Sequence, residues 1–122
     1  MGWLIDEKAK EMFEGFPDTG NKLVDLIRDN KCVRHEVVCN LLNDIYKQKN
    51  AAYGDSFGNT YRDLGIISAV TRISDKFNRL KTLVRNNDIP TGDESIGDTL
   101  LDMANYCIMT YMELENDVND KD

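Results

Sequence analysis

The sequence predicts an all-α fold, a helical bundle of about four to five helices. Apolar residues recur at steps of three and four through the long segments, which is the spacing of amphipathic helices rather than of strands. Glycine and proline cluster at residues 14–20, 53–59 and 86–93, where they separate these segments. The composition, with 41% apolar and 30% charged residues among 122, is that of a globular chain with a modest core.

Each segment between the breaks has its own apolar face. Residues 1–30 predict two short helices, at about 3–14 and about 20–30. The third predicted helix, about 34–52, collects Val37, Val38, Leu41, Leu42 and Ile45. The fourth, about 60–86, collects Ile66, Val70, Ile73, Phe77, Leu80 and Val84. The fifth, about 93–116, follows a capping box of Thr91 and Glu94 and collects Ile96, Leu100, Met103, Ala104, Cys107, Ile108 and Tyr111. We expect these faces to form the core of one domain over residues 1–122, with a frayed acidic tail at 117–122.

Charge is unevenly distributed along the chain. The net charge is −7, but residues 62–85 hold six basic residues and two acids, whereas the tail from Glu113 holds five acids and one lysine. We expect no direct binding of nucleic acid. The three cysteines lack disulfide-framework spacing, and no apolar run suggests a signal peptide or a membrane span. The sequence therefore predicts a cytoplasmic protein, in the host cytoplasm if a phage encodes it, with no membrane association.

The fifth predicted helix carries an acidic wedge, consisting of Glu94, Asp98 and Asp102 and closed by Asn105. At about 100° per residue, these four side chains fall within about 80° of one another. Carboxylates at this spacing repel each other on an isolated helix, so another group should offset the repulsion. Hard divalent cations, Mg²⁺ especially, take oxygen ligands and are usually shared with substrate phosphates. The wedge is a candidate magnesium site, and an ordinary solvated face is the alternative.

The fourth predicted helix carries a basic stripe, consisting of Arg72, Lys76 and Arg79 at steps of four and three. Arginine suits bidentate phosphate contact, and lysine acts as a point charge. If this stripe faces the acidic wedge, the two could hold Mg²⁺ and a polyphosphate, or they could neutralise each other as a salt-bridge layer. A solvated face with intrahelical ion pairs is again the alternative.

Three stretches, KNAAYGDSF (49–57), RISDKFNRL (72–80) and ESIGDTLLDMANYCIM (94–109), together resemble the nucleotide-modification-associated domain family of phages and bacteria. That family in turn looks like a branch of the all-α nucleoside triphosphate pyrophosphatases, the MazG and dCTPase group. The resemblance covers about residues 45–112 and implies a MazG-like bundle in which two helical acid motifs hold Mg²⁺ against a triphosphate. The second motif maps to Glu94 and Asp98, with Ser95 where an acid is expected and Asp102 as a replacement ligand.

The first acid motif maps less completely, because Asn40 stands where a second glutamate is expected between Glu36 and Asp44. The resemblance implies Glu36 or Asp44 as the catalytic carboxylate that orients water. The YGDSF turn is either a loop that contacts the nucleotide or a latch at a helix junction. The candidate nucleotide-binding residues are Lys49, Asn50, Tyr53, Asp55, Arg72, Lys76, Arg79 and Asn105.

Two functions from different classes remain open. The first is an Mg²⁺-dependent nucleoside triphosphate pyrophosphohydrolase, in which the acidic wedge holds the metal and the basic stripe neutralises the phosphates. The second is a non-catalytic protein that binds a nucleotide, or a phage inhibitor whose acidic surface occupies a basic site on a host or defence protein. The depleted acid motifs favour the second class. The family resemblance, with more apolar surface than one chain should bury, also predicts a homo-oligomer.

Overall fold

The computed structural model describes residues 29–86 and 95–120. These residues form four α-helices and no strand, which confirms the all-α prediction: α1 Lys31–Tyr53, α2 Ser56–Leu64, α3 Ile66–Arg85 and α4 Ile96–Asp120. The predicted helix at 3–14, all but the last two residues of that at 20–30, and the capping pair Thr91 and Glu94 lie outside the described residues. Within the described ranges, no helix combines the length and the apolar character needed to cross a bilayer.

The chain divides into two compact units, Met1–Gln48 and Lys49–Asp122. In the first unit, α1 buries Val37 and Leu42, two of the residues predicted for its apolar face. The second unit contains the last turn of α1 and all of α2, α3 and α4. The prediction of a single domain over residues 1–122 stays a prediction.

The expected continuous helix over residues 60–86 is wrong, because the chain breaks at Gly65. This glycine has φ +80° and ψ −173°, a conformation that is essentially restricted to glycine. Its backbone N–H donates to the Tyr61 carbonyl at 2.7 Å and ends α2, while its own carbonyl accepts from Ser68 N–H at 3.1 Å as α3 begins. Two helices with different directions therefore replace one.

The YGDSF turn serves as the junction between α1 and α2. Gly54, with φ +65°, allows the chain to turn after α1. Asp55 caps α2, since its side chain accepts from the Gly58 N–H at 3.2 Å. A Cβ at position 58 would lie 2.5 Å from the Asp55 carboxylate, so the cap requires glycine there. This geometry fits the helix-junction interpretation of the turn.

In the second unit, α3 and α4 run antiparallel, because Lys76 meets Asp102 while the earlier Arg72 meets the later Tyr106. Helix α2 also contacts α4, with Phe57 on Tyr106 and Tyr61 on Asp117. The side chains buried in this unit are mostly small or polar: Tyr61, Ala69, Leu83, Thr99, Asn105 and Thr110.

Two sequence expectations about α3 and α4 need correction. Much of the apolar stripe that should have been core is exposed; Phe77 is 50% exposed and Tyr111 64%. Helix α4 also continues to Asp120, beyond the expected end at about 116. Asp117, placed in the predicted frayed tail, is helical and accepts a hydrogen bond of 2.8 Å from the Tyr61 hydroxyl.

Candidate functional site

Asp98 forms a capping box with Ser95 at the start of α4. The Asp98 backbone N–H donates to Ser95 Oγ at 3.0 Å. In return, the Asp98 carboxylate accepts from the Ser95 hydroxyl at 2.9 Å and from the Ser95 backbone N–H at 3.3 Å. Reciprocal bonds of this kind satisfy two donors that a helix start leaves unpaired, and the carboxylate complements the helix dipole. Asp98 thus has a structural role, and Ser95, the residue that departs from the acid motif, is its partner.

Asp102 joins the last turn of α1 to α3. Its two carboxylate oxygens accept separately from Lys49 Nζ at 3.0 Å and from Lys76 Nζ at 3.1 Å. Partial burial of Asp102 opposes ionisation, but the hydrogen bonds from Lys49 and Lys76, together with their charges, outweigh it and hold the pKa of Asp102 below its usual value. At Lys76, the acidic wedge and the basic stripe therefore neutralise each other, as one of the sequence alternatives predicted.

Among the described residues, Asp98 and Asp102 do not form a preassembled cation site. Both Asp102 oxygens accept from lysines, and Asp98 Oδ2 accepts from Ser95. Glu94 lies outside the described residues. Within the described ranges, no three His, Cys, Asp or Glu side chains are grouped closely enough to hold a metal. Because Mg²⁺ requires near-octahedral oxygen ligands, this arrangement does not fit the ion, and magnesium binding stays a prediction.

Tyr106 positions Arg72 beside the ion pairs. The Arg72 guanidinium carbon lies 6.0 Å from the centre of the Tyr106 ring, within the range of a cation–π contact. Phe57 stacks on Tyr106 with ring centres 6.0 Å apart and ring planes 25° from parallel. Tyr106 was not among the predicted site residues, although it lies four residues after Asp102 and therefore on the same side of α4.

Arg72, Lys76 and Tyr106 open onto a cleft of about 600 Å³ in the second unit. The cleft has two kinds of wall, apolar at the junction of α2 and α3 and charged farther along α3. Its lining residues are Leu64, Ile67, Ser68, Thr71, Arg72, Asp75, Lys76 and Tyr106. The Ser68 and Thr71 hydroxyls donate to backbone carbonyls at 2.8 and 2.7 Å, so each presents its oxygen as an acceptor. The cleft can therefore receive a ligand with an apolar part, an anionic part and hydrogen-bond donors.

The other predicted nucleotide contacts in the second unit do not line this cleft. Tyr53 is 75% exposed at the end of α1, and the Asn50 carbonyl accepts from the Gly54 N–H at 2.8 Å. Asp55 caps α2 and also accepts from Arg62 at 3.3 Å. Arg79 is half-buried on α3, and Asn105 is buried on α4. A direct nucleotide contact by any of these residues stays a prediction.

The two predicted catalytic carboxylates, Glu36 and Asp44, belong to the first unit. Glu36 is exposed and Asp44 is half-buried along α1. Nearby, Cys39 Sγ lies 3.6 Å from His35 Nδ1, one helical turn away. The role of Glu36 or Asp44 in orienting water stays a prediction.

Comparison with known proteins identifies the second unit. The sequence profile of a family described as nucleotide modification associated domain 1 matches residues 49–114, more than half of the chain. Neither a curated protein nor a solved structure is significantly similar to the chain. The matched range contains the whole cleft, Asp102 and both of its lysines. The chain therefore belongs to the nucleotide modification associated domain 1 family.

Proposed function

We propose that the chain binds a nucleotide and that the cleft along α3 is the binding site. The observation that carries this proposal is the meeting of Arg72 and Lys76 with an apolar wall, Leu64 and Ile67, inside one cleft. Ligand sites of this type are mostly apolar, with a few charged groups that orient the ligand. Membership of a family associated with nucleotide modification supports the same ligand class.

The charged end of the cleft suits phosphate. Arg72 presents a planar guanidinium, which binds two phosphate oxygens at once, and the contact with Tyr106 limits its freedom before the ligand arrives. Lys76 is already paired with Asp102, so a bound phosphate would share the Lys76 ammonium group with this carboxylate. The pairing keeps Lys76, whose side chain is only 21% exposed, in position at the cleft.

The apolar end of the cleft suits the base. Leu64 and Ile67 are exposed apolar side chains at the junction of α2 and α3, where a flat ring can cover them and displace water. Asp75 adds a carboxylate to the lining, and carboxylates accept hydrogen bonds from amino groups and sugar hydroxyls. These positions support a ligand that extends along α3 with its phosphates toward Lys76.

Binding without turnover is the form of this function that the geometry supports best, since Asp102 is engaged by two lysines and Asp98 by a helix cap. Pyrophosphohydrolysis would require Asp98 and Asp102 to exchange these partners for Mg²⁺, which Glu94 would also bind. The same set of ligands tests both forms, because release of pyrophosphate from a nucleoside triphosphate with Mg²⁺ would establish turnover.

Calorimetric titration with nucleoside mono-, di- and triphosphates, with and without Mg²⁺, tests the proposal. Replacing Arg72 by alanine should weaken binding about tenfold or more, because it removes charge-assisted hydrogen bonds to phosphate. Arg85→Ala is the matched control, since Arg85 ends the same helix and does not line the cleft. Equal affinities for the two variants, or no binding by the unmodified protein at millimolar nucleotide, would contradict the proposal.

A further inference from the structure

Helices α3 and α4 each carry an apolar seam that the rest of the described chain leaves largely uncovered. Both seams advance by steps of four, three, four, three and four residues, which is the spacing of core positions in a coiled coil. The α3 seam is Ile66, Val70, Ile73, Phe77, Leu80 and Val84; the α4 seam is Leu100, Ala104, Cys107, Tyr111, Leu114 and Val118. Nine of these twelve side chains are exposed and none is fully buried. A contiguous exposed apolar surface of this kind marks an interaction site.

The two seams lie on the same side of the helix pair. The contacts from Lys76 to Asp102 and from Arg72 to Tyr106 define the side on which each helix faces the other. Viewed along each helix from its N-terminus, the seam is rotated roughly 100–140° away from that side, in the same sense on both helices. Because α3 and α4 run antiparallel, equal rotations bring the seams to one common face. The cleft opens on the opposite flank of α3, where Thr71, Arg72 and Asp75 lie.

We propose that this face binds a second copy of the chain, as a two-fold dimer whose centre is a four-helix bundle of α3, α4 and their symmetry mates. A face made of two helices with equal seams can pack against a copy of itself about a two-fold axis. Two-fold dimers are the commonest homo-oligomers. Since the cleft lies on the other flank, each copy keeps a complete cleft built from its own residues.

Charge and size favour a second copy as the occupant. Helix α3 holds five basic residues and one acid, whereas α4 holds six acids and no basic residue. At about 100° per residue, Lys81 and Arg85 on α3 and Glu115 on α4 lie nearest the outer edges of the seams, so packing α3 of one copy beside α4 of the other brings opposite charges to the rim. The face is about 27 Å long and roughly two helices wide. Its accessible area, including the side chains that project from it, is on the order of the ~800 Å² that each partner buries in a standard interface.

The proposal is tested by the mass of the protein in solution at tens of micromolar. Sedimentation equilibrium should give twice the 13.9 kDa of one chain. Tyr111→Lys should give a monomer, because it places a charge in the α4 seam. Met112→Lys, the same change at the next residue, should leave the dimer intact, because Met112 is 45% exposed but lies outside the seam.

Phe77→Glu provides a second variant on α3. A glutamate there has Lys81 four residues later, so the helix gains a favourable pair while the seam gains a charge. Lys81 already lies 5.0 Å from the Phe77 ring centre. This variant should also be monomeric, with an unchanged helical circular dichroism spectrum and, if the unmodified protein binds nucleotide, the same nucleotide affinity.

Thiol alkylation gives an independent measurement within the unmodified chain. Cys107 lies in the α4 seam, whereas Cys32 and Cys39 are exposed on α1. Cys107 should react at least several-fold more slowly than Cys32, and Tyr111→Lys should remove this protection. A monomeric unmodified protein would overturn the proposal. If Cys107 were nevertheless protected in that monomer, a segment of the same chain would cover the seams instead.

Discussion

At the scale of single residues, Asp102 connects three helices through two lysines. We predict that Asp102→Asn lowers the free energy of unfolding by about 1–2 kcal/mol at neutral pH, because the half-buried Lys76 loses its charged partner. The folded-state pKa of Asp102 is lowered, so its stabilisation is present above the unfolded pKa of about 3.9 and is lost as pH falls through the folded value. Urea denaturation at about pH 7 and about pH 3 measures both effects. A difference between the two proteins that persists undiminished in acid would contradict this account.

Asp98 has a role that can be separated from metal binding. We predict that Asp98→Ala lowers the free energy of unfolding by about 1 kcal/mol without any metal, because the capping box with Ser95 is lost. Asp98→Asn should lose less, since the amide oxygen still accepts a hydrogen bond. Melting curves with and without Mg²⁺ provide the control. If Mg²⁺ raised the melting temperature of the unmodified protein and Asp98→Asn removed that rise, Asp98 would be a metal ligand after all.

At the scale of the helices, Gly65 separates α2 from α3 and thereby creates the apolar end of the cleft. We predict that Gly65→Ala lowers the free energy of unfolding by about 1–3 kcal/mol, because a Cβ is strained at φ +80° although no atom lies within 4 Å of it. Gly97→Ala is the control. Gly97 lies in α4, where a Cβ would meet Ser95 Oγ at an ordinary 3.7 Å, so alanine should be neutral or stabilise by up to about 1 kcal/mol. Chemical denaturation of both variants decides this, and equal effects would argue against strain at Gly65.

At the scale of the whole molecule, the exposed seams make stability depend on concentration. If the native state is a dimer, mass action stabilises it as the protein concentration rises. We predict that the melting temperature of the unmodified protein increases across a hundredfold range of concentration, on the order of a few degrees. Tyr111→Lys should melt at a temperature independent of concentration. A constant melting temperature in both proteins would mean that dimerisation through the seams does not stabilise the native state.

The candidate site was partly predictable from the sequence. Arg72, Lys76 and Asp102 were singled out because charge and helical spacing are local properties that a sequence displays directly. Leu64, Ile67 and Tyr106 were missed because they reach the cleft only after Gly65 redirects the chain and α4 packs antiparallel to α3. Asp98 is a different case, because its capping partner Ser95 lies three residues earlier and the Ser-x-x-Asp pattern is visible in the sequence.

By itself, the sequence determined the all-helical character of the described segments and the periodicity of their apolar faces, because the helical period is set by backbone geometry and needs no distant contact. It also determined which side chains could carry charge toward a phosphate. Only the tertiary structure decided which faces the protomer covers. Thr99, Asn105 and Thr110 are buried on α4, whereas Tyr111 and Val118 are exposed. The physical reason is that periodicity identifies a face that avoids water, but burial depends on which surface packs against it.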